Sequence, residues 1–233
     1  MKKIVLIILV VFTIGAAFLA YYYLFQRSYT TQRSTRVMEW LRHAEDHPEW
    51  AISAGDQCEG APFSMPTNGY IGFLWDDSWR PGHHHTGLDI FGGTDVGITP
   101  VYAAYDGYLT RESDWKSTVI IRIPSDPLDP GTQIWTYYTH MADKDGNDFI
   151  VEDFPPDTHE VFVEAGTLLG YQGNFSGTAG NPTGIHLHFS IVKDNGSGLY
   201  LNETILDNTL DPSPYFNINL NAKLDPPEIP HCP

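Results

Sequence analysis

The sequence predicts a mainly β fold, an antiparallel sheet with long loops, preceded by one N-terminal transmembrane helix. Three observations carry that expectation. Residues 60–195 break into short runs rich in Val, Ile, Tyr and Thr, separated by Gly, Asp, Asn and Pro, which is the pattern of strands and turns. No long helical period interrupts those residues. Ahead of them, Ile4–Phe25 is an uncharged apolar run of 22 residues behind Lys2 and Lys3.

At about 1.5 Å per residue, a helix of that length spans the ~30 Å hydrocarbon core of a bilayer. A cleaved signal peptide competes with an anchor. Signal peptides have a shorter apolar stretch ending at a small-x-small site, whereas here the best exit, after Ala20, has Phe18 three residues upstream. The run continues through Tyr21-Tyr22-Tyr23, a cluster suited to a membrane–water interface. The expected layout is a cytoplasmic stub (1–3), an anchor (4–25), a juxtamembrane stalk (26–52), a folded domain (53–216) and a C-terminal tail (217–233). Within the stalk, residues 26–36 are polar. Val37, Met38, Trp40, Leu41 and Ala44 then recur at helical spacing until Pro48, which predicts a short amphipathic helix over 35–47.

The expected strands are Tyr70–Trp75, Val101–Ala104, Gly107–Thr110, Thr118–Ile123, Thr132–His140, Val161–Val163, Leu168–Gln172 and His186–Val192. Two long loops stand out, 124–131 and the acidic 141–158. The Pro-rich residues 200–233 are expected to wrap the body.

The chain has 233 residues, 13 of them Lys or Arg and 29 Asp or Glu, for a formal charge of −16. All five basic residues of 1–36 precede the first acidic one, so 37–233 carry eight basic and 29 acidic residues, a net −21. Such a body repels phosphate backbones, and no nucleic-acid partner is expected. Lys2 and Lys3 favour a cytoplasmic start, although Arg27, Arg33 and Arg36 flank the other side and blunt the rule. The cysteines, Cys58 and Cys232, suit a staple closing a long loop in a body outside the cytoplasm. The resulting localisation is the cell membrane, single-pass, with the folded domain outside the cytoplasm.

Three local patterns hold candidate chemistry: His85-Thr86-Gly87-Leu88-Asp89, Tyr138-Thr139-His140, and Gly184-Ile185-His186-Leu187-His188-Phe189. On a strand, His186 and His188 point one way and Leu187 and Phe189 the other. Neutral imidazole and carboxylate are ordinary Zn²⁺ ligands, and catalytic zinc takes three protein ligands beside an open position. His85 and Asp89 supply two, with Gly87 letting the chain bend between them. One histidine of the H-x-H pair supplies the third, leaving the other, with His140, for acid–base work. Asp143–Asp148 hints at a calcium loop, but its glycine stands fourth and no Glu stands twelfth, so it fits a solvated turn instead. Asn174-Phe175-Ser176, Asn195-Gly196-Ser197 and Asn202-Glu203-Thr204 match only the short glycosylation sequon.

The ordered motifs His85-x-Gly87-x-Asp89-Ile90, Gly97–Ala104, Asp106-Gly107, Tyr138-x-His140, Gly166–Gly170, Gly173-Asn174-x-Ser176-Gly177 and Gly184-x-His186-Leu187-His188-Phe189 resemble the signature of the lysostaphin-like zinc metallopeptidases. Asp211-Pro212-Ser213-Pro214-Tyr215 resembles the end of that domain, so the likeness covers roughly 61–216. It implies one Zn²⁺ on His85, Asp89 and His188, with His140 and His186 as catalytic histidines. It also implies hydrolysis of peptide bonds in peptidoglycan stems or cross-bridges. The alternatives are a non-catalytic wall-binding or activating module on the same fold, or a peptidase acting on proteins. Asp114-Trp115-Lys116-Ser117 replaces the family's usual Gly-Asn turn. That turn and the 124–131 and 141–158 loops are expected to border the substrate groove.

Overall fold

In the computed structural model, residues 2–78 and 82–232 are described, with only the backbone of 2–8 and 25–32. One helix, α1, runs from Lys2 to His43. This corrects the separate short helix expected over 35–47, which is continuous with the residues before it and ends at His43. Gln, Arg, Ser and Thr are polar but compatible with a helix, so composition alone marked no end. The stop comes at His43, followed by two single-turn 3₁₀ segments, Ala44–Asp46 and Pro48–Trp50. Among the described residues no helix is long and apolar enough to cross a membrane. The run Ile4–Phe25 extends at both ends beyond the side chains described.

Among the described residues ten strands follow: β1 (Tyr70–Phe73), β2 (Leu88–Phe91), β3 (Pro100–Tyr102), β4 (Gly107–Arg111), β5 (Val119–Ile123), β6 (Ile134–Thr139), β7 (Thr158–Val163), β8 (Leu168–Tyr171), β9 (Leu187–Lys193) and β10 (Thr209–Leu210). The main sheet has the order β1-β2-β9-β6-β5-β4-β7, with β10 also paired to β9, and β3 and β8 form a separate pair. All of these pairings are antiparallel. The sheet therefore has the predicted character. β2 and β10 were not foreseen as strands, and β7 begins three residues earlier than expected, at Thr158. Its Thr-His-Glu start is polar because β7 is an exposed edge.

One face of the sheet packs Leu88, Ile90, Leu109, Ile121, Leu187 and Phe189 into the main core. Burying such side chains is the dominant favourable term in holding the sheet. Cys58 and Cys232 form a disulfide across 174 positions of chain. After β10, the helical turn α2 (Ser213–Phe216) buries Tyr215 and Phe216 against Phe63. Leu220 then joins the same core.

The last third of α1 docks on the body. Val37 and Trp40 are buried with Tyr70 and Phe91, and Arg33 lies 3.6 Å from Asp77 in a buried pair. Gly72 of β1 makes this approach feasible, since a Cβ there would stand 2.5 Å from the Val37 side chain.

Candidate metal centre

The candidate residues converge where β2, β9 and β6 lie side by side. Asp89 of β2 pairs directly with His188 of β9, and His188 pairs with Thr139 of β6. A single row across three strands thus carries two predicted ligands to the threshold of His140. His186 sits just before β9, bridged to Gly173. The alternation holds, with Leu187 and Phe189 in the core and the two histidines on the opposite face.

His85 precedes β2. Its backbone N–H donates to the Asp77 carbonyl at 2.8 Å, and its own carbonyl accepts from Asp76 N–H at 2.8 Å. Gly87 is needed here for space rather than for bending, which corrects the expectation. A Cβ at Gly87 would lie 2.2 Å from the Phe189 carbonyl oxygen, so any side chain would push β2 off β9.

His85, Asp89 and His188 are all buried, and their donor atoms gather within 4.8 Å of one another. His85 Nε2 is 3.0 Å from Asp89 Oδ1 and 3.1 Å from His188 Nδ1, and His188 Nδ1 is 2.9 Å from Asp89 Oδ1. Donors at about 2 Å from a shared tetrahedral ion stand about 3.3 Å apart. Two imidazole nitrogens and a carboxylate at nearly that spacing fit a zinc-type ion. Each histidine of the trio also has its other nitrogen engaged: His85 Nδ1 with the Leu74 carbonyl at 2.8 Å, His188 Nε2 with Glu203 Oε1 at 2.8 Å. Such outer contacts fix the tautomer that leaves the inner nitrogen bare.

His140 and His186 stand beside this trio, with ring centres 4.6 Å apart. His140 Nδ1 donates to the Phe175 carbonyl at 2.7 Å and His186 Nδ1 to the Gly184 carbonyl at 2.7 Å. Nε2 of His186 lies 3.4 Å from Asp89 Oδ1, on the side of the trio. His140 has φ +73°, a left-handed conformation uncommon outside glycine. Held there, its ring reaches the groove while β6 ends.

The electrostatics follow from burial and crowding. Burial would raise Asp89, but the surrounding histidines His85, His186 and His188 prevail and hold it well below the usual carboxylate range. Burial lowers His140, reinforced by His186 and His188, to about 3. Burial opposes a proton on His188, yet Glu203 and Asp89 outweigh it and raise that imidazole to about 10. A cation on Nδ1 would take that proton's place.

A groove of about 720 Å³ opens onto the trio, lined in part by Asp114, Trp115, Lys116 and Ser117. That turn borders the groove as expected. The 124–131 loop does not, whereas the 141–158 loop backs the groove wall, with Gly146 against Lys116 and Phe175 and the Lys144 carbonyl accepting from Gly180 N–H. The first joins β5 and β6 at the end away from Thr139, where Asp126 accepts a hydrogen bond from the Tyr215 hydroxyl at 2.7 Å. The second is bound to the sheet by Arg111, which donates to the Phe154 carbonyl and to Asp148. His83 and His84 line the rim, and His84 Nδ1 lies 2.5 Å from Asp76 Oδ1. The 143–148 turn is self-satisfied, its Asp143 carboxylate accepting from the backbone of Asp145 and Asn147. Glu203 is the site residue that sequence reasoning missed. Its only local pattern is the middle of the sequon Asn202-Glu203-Thr204, and nothing in that pattern ties it to His188.

No family model matches the chain, and no curated protein matches it either. Solved structures do. The chain is similar to lysostaphin from Staphylococcus simulans at 21% identity and a TM-score of 0.37, over 57% of this chain and 44% of that one. It is similar to Helicobacter pylori Csd3 at 18% identity and a TM-score of 0.38, over 61% and 34%. It is also similar to a mutant of the catalytic domain of the prophage-encoded M23 protein EnpA from Enterococcus faecalis, at 21% identity and a TM-score of 0.37, over 63% and 92%. The match spans less than half the length of the first two structures.

Proposed function

We propose that this chain is a zinc-dependent endopeptidase, anchored in the cell membrane by α1, that hydrolyses peptide bonds in peptidoglycan stems or cross-bridges. One observation carries the reading: a buried His-Asp-His trio with ligand geometry lies beside two further histidines, His140 and His186, whose Nδ1 atoms are engaged by carbonyls. In it, His85 Nε2, Asp89 and His188 Nδ1 hold the ion. When bound, zinc supplies Lewis acidity toward a carbonyl and toward water.

The chain's own groups do the rest. Nε2 of His140 and of His186 take up and return the protons of a hydrolysis, from water to the leaving amine. Once protonated at Nε2, either ring offers an N–H donor to a developing oxyanion. Burial of the trio lowers the local dielectric, which strengthens each of these interactions.

Membrane attachment is supported by the exposed apolar flank of α1, where Val11, Phe12, Ile14, Phe18 and Leu19 are each at least 65% exposed. A helix surface that is apolar and uncovered by the body suits lipid. Lys2 and Lys3 keep the N-terminus cytoplasmic and the folded domain outside.

The test is digestion of purified peptidoglycan and of a protein substrate by the full chain, with mass spectrometry of the products and metal analysis of the enzyme. The expected result is one zinc per chain, wall peptides cleaved, and activity lost to chelator and restored by zinc. Chelator-insensitive cleavage overturns the metal half of the reading. Cleavage of protein alone overturns the substrate half, and binding without cleavage favours a wall-binding module.

A further inference from the structure

Glu203 lies outside the three-donor set, yet its side chain is only 14% exposed. A single oxygen, Oε1, gathers three neighbours: His188 Nε2 at 2.8 Å, the Thr86 hydroxyl at 2.7 Å and the Ser190 hydroxyl at 3.2 Å. Thr86 is next to His85, and Ser190 follows His188 on the same face of β9. A carboxylate is costly to bury unless paired and hydrogen-bonded, and here the pairing is directed at one ring. The chain reaches this position by reversing after β9, through a turn in which Asp194 accepts from Gly196 and Gly198. Asn202 then caps the next turn, accepting from Thr204.

The contact decides which nitrogen of His188 is bare. An imidazole that donates Nε2–H to Glu203 presents the Nδ1 lone pair to Asp89 and His85. His85 is oriented the opposite way, by a neutral carbonyl. A full carboxylate behind a ligating imidazole makes it more basic than a carbonyl does. It also adds a second negative charge beside Asp89, so two carboxylates balance a divalent ion.

We infer that Glu203 is a positioning residue for the metal, holding His188 in its Nδ1-donating tautomer and raising the affinity of the site for zinc. This deepens the zinc reading above and rests on it. Glu203 also faces the groove, so a direct part in proton transfer is the competing role. Its three donor contacts leave Oε1 engaged, which disfavours that role.

The experiment uses the full 233-residue chain in detergent, stripped of metal, as wild type, Glu203→Ala and Glu203→Gln. Zinc affinity is measured by competition with a chromophoric chelator, and coordination by the visible spectrum of the cobalt-substituted protein. Glu203→Ala is expected to weaken zinc binding by roughly 10–100-fold and to alter the cobalt spectrum. Glu203→Gln keeps the volume and an acceptor oxygen but no charge, and is expected to weaken binding severalfold. Should the alanine variant fail to fold, the glutamine variant decides. Wild-type zinc affinity in either folded variant overturns the inference. So does a glutamine variant that loses turnover while its zinc affinity and cobalt spectrum match the wild type. A wild-type chain that binds no zinc overturns the metal reading itself, and the wild-type titration alone identifies that case.

Discussion

The indole N–H of Trp40 donates to the backbone carbonyl of Phe91 at 2.6 Å. The Phe91 ring in turn stacks on His186, with centres 5.0 Å apart and planes 27° from parallel. The last third of α1 is thereby coupled to a histidine of the site through one aromatic residue. Trp40→Ala is expected to cost about 3–5 kcal/mol of stability through lost packing. Trp40→Phe is expected to cost about 1–3 kcal/mol, because the Phe91 carbonyl loses its donor. Thermal melting measures both. An unchanged melting temperature in Trp40→Ala would show that α1 does not brace the sheet.

Gly87 offers a sharper probe of the β2–β9 register. Its missing Cβ leaves room for the Phe189 carbonyl, and the Asp89–His188 pairing lies two residues further on. Gly87→Ala is expected to cost about 1–3 kcal/mol through overpacking. Zinc affinity should fall with it, because the two ligands shift relative to each other. Zinc titration beside a melting curve tests this; a variant that melts earlier yet binds zinc normally would separate strand packing from ligand placement.

These two positions mark what the sequence reveals and what it conceals. The alternation of His186 and His188 with Leu187 and Phe189 was legible because strand periodicity is local. The four site histidines and the aspartate were legible as motifs for the same reason. The Trp40–Phe91 bond joins residues 51 apart in the chain, and the Thr86–Glu203 bond joins residues 117 apart. No pattern of spacing encodes either. The 26–36 segment misled through composition, since polar residues continue a helix as readily as they end one. The 124–131 loop misled because length alone does not say at which end of the sheet a loop lies.

Alkaline pH should loosen the fold through Tyr138. Burial lifts this phenol to about 12, against the ordinary 10.0, and its oxygen accepts the Ala104 N–H at 2.9 Å. The fold favours the neutral phenol, so the stabilisation is complete below pH 10, where the unfolded phenol is also neutral. It is lost as pH rises through about 12, by up to ~3 kcal/mol for two units. Tyr138→Phe should be about 1–3 kcal/mol less stable at neutral pH, its Ala104 N–H left unpaired. It should also lose less stability than the wild type between pH 9.5 and ~11.5. Parallel melting curves with equal alkaline slopes would contradict this.

The disulfide pins the chain's last residues to the start of the folded body. Closing 174 positions of chain, it restricts the unfolded ensemble strongly, worth about 2–5 kcal/mol in measured cases. Paired Cys58→Ser and Cys232→Ser substitutions are expected to lower the melting temperature by that equivalent while leaving zinc affinity intact, because neither cysteine touches the trio. Loss of zinc binding in the double variant would mean that the staple shapes the site as well as the body.

The division between holding the ion and moving protons is tested at His140 and His186. Replacing a general acid or base typically removes 10²–10⁴-fold of rate, whereas losing a ligand removes the metal. His140 needs a chosen replacement, because its φ of +73° strains most side chains; asparagine tolerates that conformation. His140→Asn and His186→Ala are expected to retain zinc at one per chain and to lose turnover by about 10²–10⁴-fold. Asp89→Ala is expected to lose zinc and turnover together. Metal analysis with single-turnover kinetics on the same preparations distinguishes the two classes. Near-normal turnover in both histidine variants would remove them from the chemistry and leave the trio as a binding site alone.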